Sequence, residues 1–345
     1  MGRPCRVLLL ADHAHGSDTS MQIASRRGGK VPFDRAGGAG HMLSIAKETP
    51  LSEPLALFDR DLMRRRLLRA ERIGFADFLI QRAADDLAER LAAITREFPV
   101  AVDLGTATDA AARLLAERPG TELVVRAAPV AMGGRMDMVA DEERLPFADA
   151  SLSLVTSLLA LQSVNDLPGA LVQVRRALKP DGLFIGCLFG GATLTELRQS
   201  LAAAESELEG GLSPRVSPFA DVRDAGSLLQ RAGFALPVTD VEPVMVRYSD
   251  PLGLLQDLRA MGLTNALRAR RRQPLRRGTL LRAMAIYAER FSDPDGKVRA
   301  SFEMIWLSGW AHHESQQRPL KPGSAKARLA DALRTIEASA GEKAG

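Results

Sequence analysis

Cysteine, lysine and long apolar runs are all scarce in this chain, and each scarcity removes a class of protein. Its 345 residues hold two cysteines, Cys5 and Cys187. They are too few and too far apart for a disulfide framework or a cysteine-based zinc site, and they fit a reducing compartment. The longest apolar candidate, Leu152–Leu161, is interrupted by Ser153, Thr156 and Ser157. It falls far short of the ~18 residues that read as a membrane span. Only seven of the 46 basic residues are lysine and the net charge is +4, so the arginine excess is spread along the chain. The densest basic stretch (Arg268, Arg270, Arg271, Arg272, Arg276 and Arg277) has no interleaved aromatics. Base stacking would need them, so no nucleic-acid partner is expected.

What is present supports a sizeable globular core, with 46% hydrophobic and 26% charged residues. Residues 1–50 lack periodicity and are expected to be disordered or to follow from a mispredicted start, with Met42 as the true one. Leu55 to Phe98 has a helical pattern, with Leu62, Leu67, Phe75, Phe78, Leu79, Leu87 and Leu91 at spacings that suit one face. Its Arg64, Arg65, Arg66, Arg69 and Arg72 read as a solvated surface. Strands and helices then alternate: VAVDLG, ELVV, RMDMVA, SLSLVTSL and LFIGCLF are strands. VTDVEPVMVRY is a further strand region, split by Pro243. This alternation predicts a mostly parallel, doubly wound α/β sheet whose ligands bind beyond the strands' carboxyl ends. The expected organisation is a domain over 55–248, a helical insertion or extension over 249–323 and a tail over 324–345. In the insertion, Trp306 and Trp310 read as one helix face. Cys187 reads as a core thiol, and His312–His313 as adjacent residues unsuited to sharing a metal ion.

Three segments in order carry a resemblance. AVDLG at the first strand, ADEERLPFADASLSLVTSLLAL, and NDLPGALVQVRRALKPDGLFIG together resemble the class I S-adenosylmethionine-dependent methyltransferases, with their Rossmann-like doubly wound sheet. FGGATLTELRQSLAAAESELEGGLSPRVSPFADVRDAGSLLQRAGF, DLRAMGLTNA and GWAHHESQQRP extend it. They resemble a group comprising the mitochondrial complex I assembly factor that hydroxylates an arginine of a partner subunit and its bacterial relatives. The carboxyl methyltransferase of biotin synthesis is a more distant relative. The resemblance implies S-adenosylmethionine as cofactor, with Asp103, Gly105, Ala107, Asp141 and Glu142 as the cofactor-binding residues. In the family Asp141 faces the adenine amine.

Three departures line that expected pocket. The family loop D-L-G-x-G-x-G keeps Asp103 and Gly105, but Ala107 and Asp109 replace its second and third glycines. No Asp or Glu stands between Glu122 and Asp137, where the family's ribose-binding acid belongs; Arg126 and Ala127 are nearest. Gln162-Ser163 replaces His-Trp. Weak or lost cofactor binding is therefore expected. Three functions stay open: a complex I assembly factor modifying an arginine of an NADH dehydrogenase subunit, an active methyltransferase on a small acid or carrier-bound carboxyl, and a cofactor-free assembly chaperone. No catalytic residue is assigned. The expected location is the cytoplasm, with at most peripheral contact at the inner membrane.

Overall fold

The computed structural model describes residues 56–134 and 136–316; the expectations for residues 1–50 and 324–345 lie outside them. Helices α1 (Arg60–Ile73) and α2 (Phe78–Ala92) come first. The single helical pattern read over this region is broken at Gly74, whose φ of +92° favours glycine. Asp59 caps α1 by accepting from the Leu62 N–H at 3.0 Å. On α2, Leu79, Leu87 and Leu91 are buried, whereas Phe78 is exposed.

Strands β1 (Val100–Leu104), β2 (Leu123–Ala128), β3 (Met138–Val139), β4 (Leu152–Leu158) and β5 (Leu178–Phe189) run parallel. Helices α3 (Ala110–Glu117) and α4 (Leu167–Ala177) connect them. After β5 come α5 (Thr195–Leu208), α6 (Val222–Arg231) and strand β6 (Ala235–Tyr248). Helices α7 (Pro251–Ala260) and α8 (Arg277–Phe291) then precede strand β7 (Val298–Trp310). The seven strands lie in the order β3-β2-β1-β4-β5-β7-β6, with β7 antiparallel to both neighbours. One core joins the sheet to α2, α3, α5, α7 and α8. The other joins its opposite face to α4 and α6.

The region after Tyr248 is an insertion of two helices followed by a strand that returns to the sheet. Trp306 and Trp310, expected on a helix, belong to β7. Residues four apart share a face at the strand period of two as well as at the helical period of 3.6, so the spacing does not discriminate. Their rings lie under the Arg90 and Arg96 guanidiniums, at 4.5 and 5.6 Å. Pro243 does not split β6. It stands opposite Glu303 in a continuous strand at the sheet edge, where a missing N–H costs no ladder bond. Cys187 is buried in β5, and burial pushes its thiol up.

Candidate functional site

The loop after β1 needs one glycine, and the structure shows why. Gly105 has a φ of +78°, and a Cβ there would stand 2.7 Å from the Ala160 Cβ and 2.8 Å from Glu142 Oε1. Ala107 has no positive φ, and Asp109 sits at φ −89°, so neither strains the backbone. Asp109 takes the N-cap position of α3, but its carboxylate makes no capping hydrogen bond; it lies 3.5 Å from Arg113. The loop after β2 folds over this turn: a Cβ on Gly133 would meet the Ala107 carbonyl at 2.2 Å.

Arg126 is the residue that sequence reasoning placed nearest the missing acid, and it is 1% exposed. Its guanidinium donates to the carbonyls of Met132, Gly133 and Thr106 at 2.8, 2.8 and 3.1 Å. It lies 3.9 Å from the Asp103 carboxylate, which also accepts from the Thr106 hydroxyl at 2.5 Å. Burial pushes the Asp103 carboxyl up to about 7, against the pull of Thr106 and Arg126. The same burial lowers the Arg126 guanidinium. Asp103 therefore belongs to a closed network beneath the loop. Ala127 points into the core shared with α4 and α6.

Asp141 and Glu142, at the end of the acidic loop, meet α1. Arg60 donates to Asp141 at 3.0 Å and pairs with Glu142, while Arg64 pairs with Asp141. Burial raises the Glu142 carboxyl despite Arg60, whereas the backbone N–H of Glu143 and the two arginines hold Asp141 low despite its partial burial. Two more arginines of the presumed solvated face are engaged, Arg66 with the Thr264 carbonyl and Arg69 with its hydroxyl. Arg65 and Arg72 are exposed. Sequence reading missed this clamp because i,i+4 spacing says nothing about a partner some 80 residues away.

Helix α1 thereby roofs a cleft lined by Gly105, Ala107, Pro129, Glu142, Ala160 and Gln162 and by apolar residues of α1, α2 and the Met261–Leu263 turn. A second cavity of about 260 Å³ adjoins it, between α5, α7, α8 and the loop over 213–219. Met63, Gln162, Ser163, Phe189, Gly262 and Leu263 line both. Of the five expected site residues, Gly105, Ala107 and Glu142 line the cleft; Asp103 lies beneath it and Asp141 beside it, both engaged.

The glutamates of the E-x-E-x-E motif fasten the second cavity. Glu205, 1% exposed, accepts from the Ser213 N–H at 2.8 Å and from Arg215 at 2.7 Å. Glu207 pairs with Arg282 at 2.6 Å, and Glu209 accepts from Thr279 at 2.7 Å and Arg271 at 2.9 Å. Within the basic run, Arg270 pairs with Asp59 at 3.2 Å, so Arg270 and Arg271 are structural, while Arg268, Arg272, Arg276 and Arg277 are exposed.

This strand order, with a cleft beyond the carboxyl ends of β1 and β4, defines a domain of the class I S-adenosylmethionine-dependent methyltransferase fold. A methyltransferase-domain family model matches residues 86–186. The chain is 38% identical over 327 residues to "Arginine-hydroxylase NDUFAF5, mitochondrial" of Rattus norvegicus, covering 91% of this chain and 95% of that protein. The Homo sapiens counterpart is 42% identical, with 79% and 81% covered. The chain belongs to the family of these proteins. It is also 35% identical to the malonyl-acyl-carrier-protein O-methyltransferase of Methylovorus, with 74% and 90% covered. Among solved structures it is similar to the YcgJ protein of Bacillus subtilis, at 14% identity and a TM-score of 0.45, with 67% and 99% covered.

Proposed function

We propose that this chain is an assembly factor for respiratory complex I that acts on an arginine of a partner NADH dehydrogenase subunit, with a cofactor pocket altered so that it holds S-adenosylmethionine weakly or not at all. The observation that carries the first half is the extent of the match: 91% of the chain aligns with a relative named as an arginine hydroxylase. That span reaches well past the methyltransferase-family model at 86–186 and takes in the walls of the second cavity. The exposed Arg268, Arg272, Arg276 and Arg277 beside α8 add charge for docking a protein partner.

The second half rests on the donor set. Near the end of β2, where the family's ribose-binding acid belongs, stands Arg126, a buried group with donors only, already turned to three carbonyls. The acid expected to face adenine, Asp141, is held by Arg60 and Arg64. At both places the residues do not fit the cofactor.

A deletion strain tests the reading. Loss of assembled, membrane-bound NADH dehydrogenase activity with normal biotin synthesis is the expected result. Biotin auxotrophy with normal NADH dehydrogenase would favour the second reading, a carboxyl methyltransferase, which the 35% identity to the Methylovorus enzyme supports. Failed assembly in the deletion strain, with the partner arginine unmodified in wild type, would leave a cofactor-free chaperone.

A further inference from the structure

Gln162 stands in a short 3-10 turn, Leu161–Ser163, directly after β4. Its side chain lines both cavities. The amide orientation is decided by one bond: Nε2 donates to the Leu159 carbonyl at 2.7 Å, so the carbonyl oxygen must be the other atom. That oxygen, Oε1, is buried and has no hydrogen-bond partner within the protein. A buried acceptor left unmatched is costly to the fold. The chain leading into that turn is strained, since Leu159, directly after β4, holds a φ of +52° that a leucine rarely adopts. Buried unmet acceptors and strained backbone persist together where the surrounding fold holds a binding group in place.

The chemistry around Oε1 selects among ligands. The Glu142 carboxylate and the Ser163 hydroxyl are further acceptors here, and the remaining surface is largely apolar, with Met63, Leu159, Phe189 and Leu263 prominent. The guanidiniums of Arg60 and Arg64 are turned to Asp141 and Glu142, with Arg60 Nε facing Glu143 at 3.9 Å, and Arg215 of the second cavity is paired with Glu205. A carboxylate ligand would therefore approach an acceptor and an anion. An aliphatic stem ending in a planar cation with several N–H donors suits both the walls and the acceptors.

We propose that Gln162 Oε1 is the acceptor that receives the guanidinium of a substrate arginine whose methylene stem lies along the apolar junction of the two cavities. This rests on the reading that the partner group is an arginine, and it adds the residue that recognises it.

The test uses the full chain and a blocked Gly-Arg-Gly peptide, followed by calorimetry and by the side-chain amide resonances of the glutamines. The arginine peptide is expected to shift the Gln162 amide signals and to bind more tightly than its neutral citrulline counterpart. Gln162→Leu is expected to weaken binding about tenfold or more, the loss of one hydrogen bond to a charged group. Gln162→Glu, which places a carboxylate at the same point, is expected to bind at least as tightly as wild type, and it keeps the test valid if the leucine variant does not fold. Arginine binding that is equal in wild type and Gln162→Leu, or lost in Gln162→Glu, overturns the role of Gln162 and leaves the arginine reading standing. Equal binding of the citrulline and arginine peptides, or no binding of either, overturns the guanidinium subsite itself.

Discussion

Arg126 braces the loops beside the cleft in the place where an acid was expected. A guanidinium at 1% exposure needs acceptors for its donors, and it finds them in the turn that a nucleoside would otherwise approach. Each charged hydrogen bond denied to a ligand is worth ~1.5–3 kcal/mol, or about one to two decades of affinity. Titration with S-adenosylmethionine should accordingly give a dissociation constant above ~100 μM; a value near ~1 μM would sink this account. Restoring an acid at Ala127 is no remedy, because that side chain faces the core under α4 and α6. Asp103 carries a second consequence. Its carboxyl stays protonated in the fold up to about 7, whereas in the unfolded chain it ionises near 3.8. Between those values the unfolded state binds fewer protons, so this group's contribution to stability falls as pH rises and levels off above them. Denaturation midpoints compared at about pH 5 and about pH 8 should show that decline in wild type and a smaller one in Asp103→Asn. A decline of the same size in both would mean that the carboxyl is ionised throughout.

At the scale of elements, the charge-rich segments turn out to be fasteners. Glu205 of α5 ties down the loop at Ser213 and Arg215. Glu205→Ala leaves Arg215, itself 15% exposed, without its counter-charge, and breaking such a buried pair costs about 3–5 kcal/mol. Thermal denaturation should show a large fall in melting temperature for Glu205→Ala and a smaller one for Glu205→Gln; a loss below about 1 kcal/mol would mean that water replaces the glutamate. The E-x-E-x-E-G-G-x-S-P motif was visible in the sequence, but its partners were not, since they stand on the 213–215 loop and on the distant arms Arg271, Thr279 and Arg282. The same limit explains the rest of what could be read. Strands β1 to β6 announce themselves through apolar runs and turn residues. Strand β7 does not, because the tryptophan spacing suits two periods. Gly105 is legible as the one residue a tight turn keeps. Arg126 is legible only as the absence of an acid, and the unmatched oxygen of Gln162 becomes visible once two cavities are seen to meet there.

At the scale of the whole molecule, the order of strands differs from the order of synthesis. Strand β6 makes its sheet contacts with β7 alone, and β7 stands between β6 and β5. While the chain is being made, β6 emerges with no edge to join, and the apolar edge of β5 waits with it. About sixty residues must follow Tyr248 before Trp310 is in place, which at ~5–20 residues per second leaves the β6 edge open for roughly 3–12 s, and the edge of β5, complete at Phe189, for about twice as long. Open strand edges pair with whatever reaches them first, so the nascent chain depends on shielding over that interval. Ribosome-bound chains ending near Phe291 are expected to be cut readily by protease between 235 and 248, and chains extended well beyond Trp310 to resist. Equal resistance in the two would mean that β6 finds a temporary partner. The last strand to be translated thus acts as the keystone of the sheet, and the speed at which codons 249–310 are read becomes a determinant of yield.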